Sequence, residues 1–267
     1  MFTTYWEMTS NPFSKASSCQ HPFESEDFKQ ATARLHYLSE IKGIGLFSGL
    51  SGTGKTYTLK TFVDSLNPSL FKVAYLPMSS LTVMEFFRSL ALALGLSPAY
   101  RKIDLFNSIQ ERIVSLSVDR HICTVLILDE GQYLNTKILN DLKILLNFEM
   151  DSKNHSVTII AGQPTLNNTL GMHTHEALAQ RIVINYVFNG LSKGELESYI
   201  DSRFKVCGVH VNPFAPAALE ALWGCCASSP RVVNSLVEQC LHIGFQQKAK
   251  VIDAEIVRLA SAELSLT

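Results

Sequence analysis

The run Gly49-Leu50-Ser51-Gly52-Thr53-Gly54-Lys55-Thr56 fits the pattern G-x-x-x-x-G-K-[ST]. Glycines at this spacing let the backbone wrap an anion with its N–H groups turned inward, and a helix opening at the lysine adds partial positive charge. Phosphate is the expected ligand. Lys55 reaches the β- and γ-phosphates of a nucleotide as a point charge, and the Thr56 hydroxyl ligates Mg²⁺. Gly49, Ser51, Gly52, Thr53, Gly54 and Tyr57 complete the expected binding set. The alternative, a glycine-rich turn with a chance lysine, fits poorly between an apolar run at Ile44 to Ser48 and a helical pattern from Lys55 toward Leu66.

A second cluster closes the run Val125-Leu126-Ile127-Leu128-Asp129-Glu130. An aspartate at the tip of a buried strand can hold Mg²⁺, and the adjacent glutamate can polarise the water that attacks the γ-phosphate. Acids also end strands merely to solvate a turn, but here the pair follows a phosphate loop. A glutamate beside the metal aspartate points to hydrolysis rather than nucleotide storage, so the expected cofactors are ATP and Mg²⁺ and the expected activity is an ATPase. Gln163, just past the later run Val157 to Ile160, is a candidate contact for the γ-phosphate or the water; a polar residue opening a loop is its alternative. Arg181, before the run Ile182 to Phe188, and Arg231, after Pro230, are candidate cations for charge building on the γ-phosphate. For both, the alternative is an exposed ion pair.

These residues need a scaffold. Five apolar runs, at Ile44–Phe47, Val73–Leu76, Thr124–Leu128, Val157–Ile160 and Ile182–Phe188, alternate with amphipathic stretches. The runs read as continuous, as strands covered on both faces must be. Strand alternating with helix predicts an α/β fold, a parallel five-stranded sheet with helices on both faces. Phe106, Ile109 and Ile113 recur at helical spacing behind Asp104, a candidate N-cap, and Ile138, Leu142, Leu145 and Leu146 do the same. After Gly190 only helical patterns follow, at Ser192–Val206, Asn212–Trp223, Pro230–Phe245 and Asp253–Leu264. The expected division is 1–190, a nucleotide-binding domain with an N-terminal extension, and 191–267, a small helical domain.

Composition narrows the class. The chain has 267 residues, with 23 Lys+Arg against 24 Asp+Glu for a net charge of −1, which excludes a protein that coats nucleic acid by bulk charge but leaves room for a local basic strip. No apolar run approaches the roughly 20 residues of a membrane span. The N-terminus lacks a basic region followed by an apolar one, which predicts no cleaved signal and a cytoplasmic chain. Six cysteines without C-x-x-C spacing read as buried apolar groups in a reducing compartment. Cys207 with His210, or Cys240 with His242, would be half of a metal site lacking its second pair. His173 and His175 read as loop residues.

With these pieces in order, the chain resembles the AAA+ ATPases, and within them the group holding ExeA-type general-secretion ATPases and transposition regulators of the TnsC, TniB and MuB type. Asn11-Pro12-Phe13, Ala31 to Leu38, the two phosphate-site motifs, Val157 to Pro164, Leu178 to Ile182, Leu191 to Ile200 and Ser228-Ser229-Pro230-Arg231 carry the resemblance. It implies a P-loop AAA+ core followed by a helical lid, with Arg181 as an arginine finger on a neighbouring subunit's nucleotide and Arg231 as the sensor-2 arginine. It also implies that Asn11 to Phe23 lies near the adenine. Many relatives carry a glycine-rich turn before the sensor-2 arginine; here it reads Cys225-Cys226-Ala227-Ser228-Ser229-Pro230, which leaves the lid angle open.

Two jobs follow from the resemblance. One is an ATP-dependent transposition helper that assembles with itself as a ring or helical filament on duplex DNA and recruits or activates a transposase or integrase. The other is an ExeA-like ATPase energising a secretion or envelope complex. Secretion relatives carry a transmembrane segment after the ATPase, and this chain ends at Thr267, which weighs toward transposition with no membrane partner. For DNA, Arg101 and Lys102 are the candidate backbone contacts, with a solvated turn between helices as the alternative.

Overall fold

The computed structural model describes residues 2–14, 22–148 and 152–264. Five parallel strands, β1 (Gly43–Gly49), β2 (Phe71–Pro77), β3 (Cys123–Asp129), β4 (Ser156–Gly162) and β5 (Ile182–Phe188), form one sheet in the order β2-β3-β4-β1-β5. The strand carrying Gln163 at its end thus lies between the strand of the acidic pair and the strand that feeds the phosphate loop.

Side chains alternate across the central strands and fill two layers. Leu126, Leu128 and Ile160 face Phe86, Phe87, Leu90, Leu105, Ile109 and Ile113. These come from α4 (Val83–Ala93) and α5 (Lys102–Val118), joined by α6 (Thr136–Leu145). Val125, Ile127 and Ile159 face Leu35 and Leu38 of α2 (Glu26–Ile41) and Leu59 and Phe62 of α3 (Lys55–Ser65). Both layers are mostly apolar at the sheet, as suits a parallel sheet, with Thr124 and Thr158 buried among the apolar side chains.

β5 departs from the expectation of a strand covered on both faces. It is an edge strand, and its burial alternates, with Val183 53% and Val187 45% exposed. Strand order, which is a tertiary property, decides this. Nor does Asp104 cap its helix. Arg101 occupies the N-cap without a side-chain bond, and Asp104 lies in the first turn, where its charge suits the helix dipole.

The described residues divide into two compact units. The described residues of Gln30–Leu50 and Lys55–Phe188 form the sheet unit, and those of Met1–Lys29, Ser51–Gly54 and Asn189–Thr267 form the helical unit. The N-terminal extension therefore groups with the helices rather than with the sheet, where the sequence reading put it. The reason is burial. Trp6, Met8 and Phe13 enter the core of the helical unit, and Trp6 Nε1 donates to Leu241 O at 2.9 Å. That core is built from α9 (Lys193–Val206), α10 (Pro216–Cys226), α11 (Pro230–Gln246) and α12 (Ala254–Leu264), following the short helices α1 (Phe2–Tyr5), α7 (Thr165–Leu170) and α8 (Glu176–Ala179). α10 starts at Pro216, later than Asn212, because Asn212 Oδ1 accepts the Phe214 N–H in a turn and proline opens the helix.

The turn before Arg231 replaces glycine by force of packing. Ala227 and Ser228 both take left-handed backbone, at φ 44° and 63°, and Leu191 N–H donates to Ser228 O at 2.8 Å. A left-handed residue with a Cβ costs roughly 1–2 kcal/mol. Ala227→Gly is therefore expected to raise the stability of this unit by about 0.5–1 kcal/mol, read as an upward shift of the urea midpoint.

Among the described residues, no helix is long and apolar enough to cross a membrane. Nor do any three His, Cys, Asp or Glu side chains there form a group that could hold a metal ion. Cys207, Cys226 and Cys240 are buried, and burial pushes their thiols up, Cys240 to about 12. Cys19 lies outside the described residues. His242 packs on Phe2, His173 pairs with Glu176, and His175 is buried.

Candidate active site

β1 delivers the chain into the loop, and α3 opens at Lys55, as the motif requires. The loop's ends group with the sheet unit and its tip, Ser51–Gly54, with the helical unit. Lys55 is buried at 8% exposure, and its ammonium donates to Gly49 O and Leu50 O, both at 2.7 Å. A buried cation held by its own loop's carbonyls sets the lysine against the loop floor, where an anion cradled by the backbone would meet it.

Thr56 Oγ1 donates to Asp129 Oδ2 at 2.9 Å. This contact brings the two motifs together across 73 residues of sequence. Asp129 is 2% exposed, and its other oxygen accepts the Glu130 N–H at 2.9 Å. A hydroxyl and a carboxylate facing one another at the end of a phosphate loop are hard oxygen donors, the set that suits Mg²⁺. The residue types therefore fit the expected metal, which Thr56 and Asp129 would hold.

Tyr75 joins this cluster unforeseen. Its hydroxyl donates to Asp129 Oδ2 at 3.0 Å from β2. Pro77 pairs with Asp129 in register, so Tyr75 shares Asp129's face of the sheet. Burial first, then the charge and hydrogen bond of Asp129 and the charge of Glu130, push the Tyr75 hydroxyl up to about 12. Its native value exceeds the unfolded one, so the bond's contribution is complete below about pH 10 and is lost as pH rises through about 12.

Glu130 is exposed and takes left-handed backbone, φ 56° and ψ 39°, at the head of the 3₁₀ turn Gly131–Tyr133. Gln132, a second residue absent from the sequence reading, donates to Glu130 Oε2 at 2.6 Å and accepts the Gln163 N–H at 3.0 Å. Gln163 thus enters the site through its backbone. Its position as the first polar residue after the acidic pair is the signal that could have marked Gln132.

The two arginines lie differently. In the helical unit, Arg231 Nη1 donates to Ser51 Oγ at 3.2 Å, and Arg231 N–H reaches Gly52 O at 3.4 Å. The loop tip rests on the N-terminus of α11. Gly52 is required there twice over, because its φ is +81° and a Cβ would sit 2.4 Å from Ser229 Oγ. Gly52→Ala is expected to weaken ATP binding at least about tenfold, measured by titration of a fluorescent analogue, since it strains the loop and displaces it from the helix.

Arg181 precedes β5, where Ile44 pairs with Ile182, whereas Gly49 pairs with Phe188 at the loop end. Six residues of strand separate them, about 20 Å. Arg181 Nη1 donates to Lys143 O at 2.8 Å. It stands at the opposite end of the sheet from this chain's own phosphate loop.

Of the two candidate DNA contacts, Arg101 is exposed beside Tyr100, itself 87% exposed. Lys102 instead donates to both carboxylate oxygens of Asp141 at 2.7 Å and lies over the Phe87 ring at 5.6 Å, tying α5 to α6. Of the segment from Asn11 to Phe23, Asn11 Nδ2 donates to Glu238 Oε1 at 2.6 Å, Phe13 packs on Phe204 and Phe23 on Tyr199; residues 15–21 lie outside those described.

Residues 39–170 match the family model described as AAA domain. The chain is 29% identical over 270 residues to General secretion pathway protein A of Aeromonas hydrophila, across 99% of this chain and 49% of that protein. It therefore spans about half the length of this curated relative. Among solved structures, Cdc6p from Pyrobaculum aerophilum superposes with a TM-score of 0.68 at 18% identity, covering 96% of this chain and 71% of that one. The Aeropyrum pernix ORC1 protein in complex with DNA gives 0.66 at 16%, covering 95% and 68%. The Thermotoga maritima RuvB Holliday junction branch migration motor gives 0.58 at 17%, covering 96% and 74%. The match at residues 39–170 likens that stretch, which holds the phosphate-loop motif and the acidic pair, to an AAA domain, and these solved structures share the fold of this chain.

Proposed function

We propose that this chain binds ATP with Mg²⁺ and hydrolyses it. The observation that carries the reading is the 2.9 Å contact between Thr56 and Asp129, with Glu130 next in the chain. Lys55 neutralises the β- and γ-phosphates. Thr56 and Asp129 would hold the metal, which would supply neutralisation of the phosphates' charge. Glu130 takes a proton from water as its oxygen attacks the γ-phosphorus, the bond to the β–γ bridging oxygen breaks, and ADP and phosphate leave. Gln163, just past β4, is our candidate contact for the γ-phosphate or the attacking water, and Arg231 our candidate cation at the loop tip.

Arg181, about 20 Å along the sheet from its own loop, has no route to its own nucleotide. This distance supports a finger acting on a neighbour's nucleotide, and hence an ATP-dependent ring or helical filament. In our reading the assembly forms on duplex DNA and serves a transposase or integrase, with Arg101 as a backbone contact. A second reading, an ExeA-like ATPase energising a secretion or envelope complex, is favoured by the similarity to General secretion pathway protein A over 99% of this chain.

Electron microscopy of the protein in ATP and in ADP, with and without duplex DNA, separates the two readings when hydrolysis is followed in the same samples. Assemblies threaded by DNA with altered turnover are expected. ATP-dependent assembly that ignores DNA at moderate salt would overturn the transposition reading and leave the second.

A further inference from the structure

Gln132 is bonded at both ends of its amide. Nε2 donates to Glu130 Oε2, and Oε1 accepts the Gln163 N–H. The orientation is dictated by its partners, because an ionised carboxylate only accepts and a backbone N–H only donates, so a flipped amide would lose both bonds.

Two glycines make this approach possible. A Cβ on Gly162 would lie 2.8 Å from Gln132 Oε1 and 3.1 Å from Gln132 N. One on Gly131 would lie 2.9 Å from Ile160 Cγ2 and 3.1 Å from Ala161 O. The turn after Asp129 is thus pressed flush against the end of β4. Glu130 holds left-handed backbone within it, a conformation that a residue with a side chain keeps only where its surroundings fix it.

We propose that Gln132 is a positioning residue that orients Glu130 toward the attacking water and ties that orientation to the end of β4. The proposal rests on the hydrolytic reading above, in which Glu130 activates water. A reacting base held by a second group is the general arrangement of such sites. Gln132 touches neither phosphate nor metal in this scheme and acts through Glu130 alone. A shift of the Gln163 backbone on γ-phosphate contact passes through one planar amide to the carboxylate.

Two substitutions in the full chain separate the ends of the amide. Gln132→Met keeps length and loses both bonds. Gln132→Glu keeps the acceptor for Gln163 and sets a second carboxylate against Glu130. Single-turnover hydrolysis, ATP affinity and thermal unfolding would be measured for each, alone and combined with Glu130→Gln. Both are expected to slow hydrolysis about 10- to 100-fold, the usual range for groups behind a reacting one. ATP affinity is expected to stay within about threefold and the unfolding midpoint to hold for Gln132→Glu, whose shape matches. In the Glu130→Gln background, Gln132→Met is expected to cost less than about twofold more.

Normal hydrolysis by Gln132→Glu would reduce Gln132 to a structural tie and overturn the proposal. So would an equal loss from Gln132→Met with and without Glu130. If Glu130→Gln alone hydrolyses at the unmodified rate, the hydrolytic reading itself falls, and the proposal with it.

Discussion

Replacing Lys55 by alanine is expected to weaken ATP binding by about 10²–10⁴-fold, the largest effect on affinity of any single change in the loop. The ammonium lies at the root of the loop, buried and pinned between the carbonyls of Gly49 and Leu50. Each charge-assisted bond it transfers to phosphate is worth roughly 1.5–3 kcal/mol, and two such bonds give the stated range at about 1.4 kcal/mol per decade. Lys55→Arg is not expected to rescue, because a planar guanidinium cannot replace a compact ammonium between two carbonyls about 2.7 Å away. Equilibrium titration with ATP and Mg²⁺, beside a thermal unfolding curve to show that the variant is folded, checks the prediction. Affinity within about threefold of the unmodified chain would remove Lys55 from the site.

How much of this site the sequence reveals depends on whether a residue's role is local. The loop is local, since its spacing alone requires strand, glycines and helix in that order, and all three stand where expected. Asp129 and Glu130 follow a run of apolar residues whose burial is equally plain. Tyr75 and Gln132 are not local. Tyr75 reaches Asp129 because β2 pairs with β3 in one particular register, and Gln132 reaches Gln163 because Gly131 and Gly162 let two segments touch. Neither the register nor the approach is written in a window of ten residues.

The same distinction explains the departures in the fold. Ile182 to Phe188 reads like a buried strand, yet strand order leaves β5 at an edge. Trp6 and Phe13 precede the sheet in sequence but pack against residues at Leu241 and Phe204, far later in the chain, in the helical unit. Hydrophobic pattern says that these side chains are buried and is silent about where. Ala227 and Ser228 show a further limit. A turn that would ordinarily call for glycine is imposed on both by packing against Gly190 and Leu191.

Glu130→Gln is expected to lower turnover by about 10²–10⁴-fold while leaving ATP affinity nearly unchanged. Lys55, Thr56 and Asp129, which hold the nucleotide and metal in our reading, are untouched, so the loss falls on the chemical step. The substitution is also a quiet one structurally. Gln132 Nε2 donates to Glu130 Oε2, and the carbonyl oxygen of a glutamine at 130 accepts that bond equally well, so the left-handed turn persists. What is removed is the capacity to take a proton from water. The variant should therefore accumulate with ATP bound, and with it whatever assembly ATP stabilises. Nucleotide quench-flow gives the rate, and sedimentation in ATP gives the assembly: slow turnover with large particles is the expected pair. Unmodified turnover would remove Glu130 as the water activator. Slow turnover with ATP-bound monomers would keep the chemistry and overturn the assignment of Arg181 to a neighbour's nucleotide.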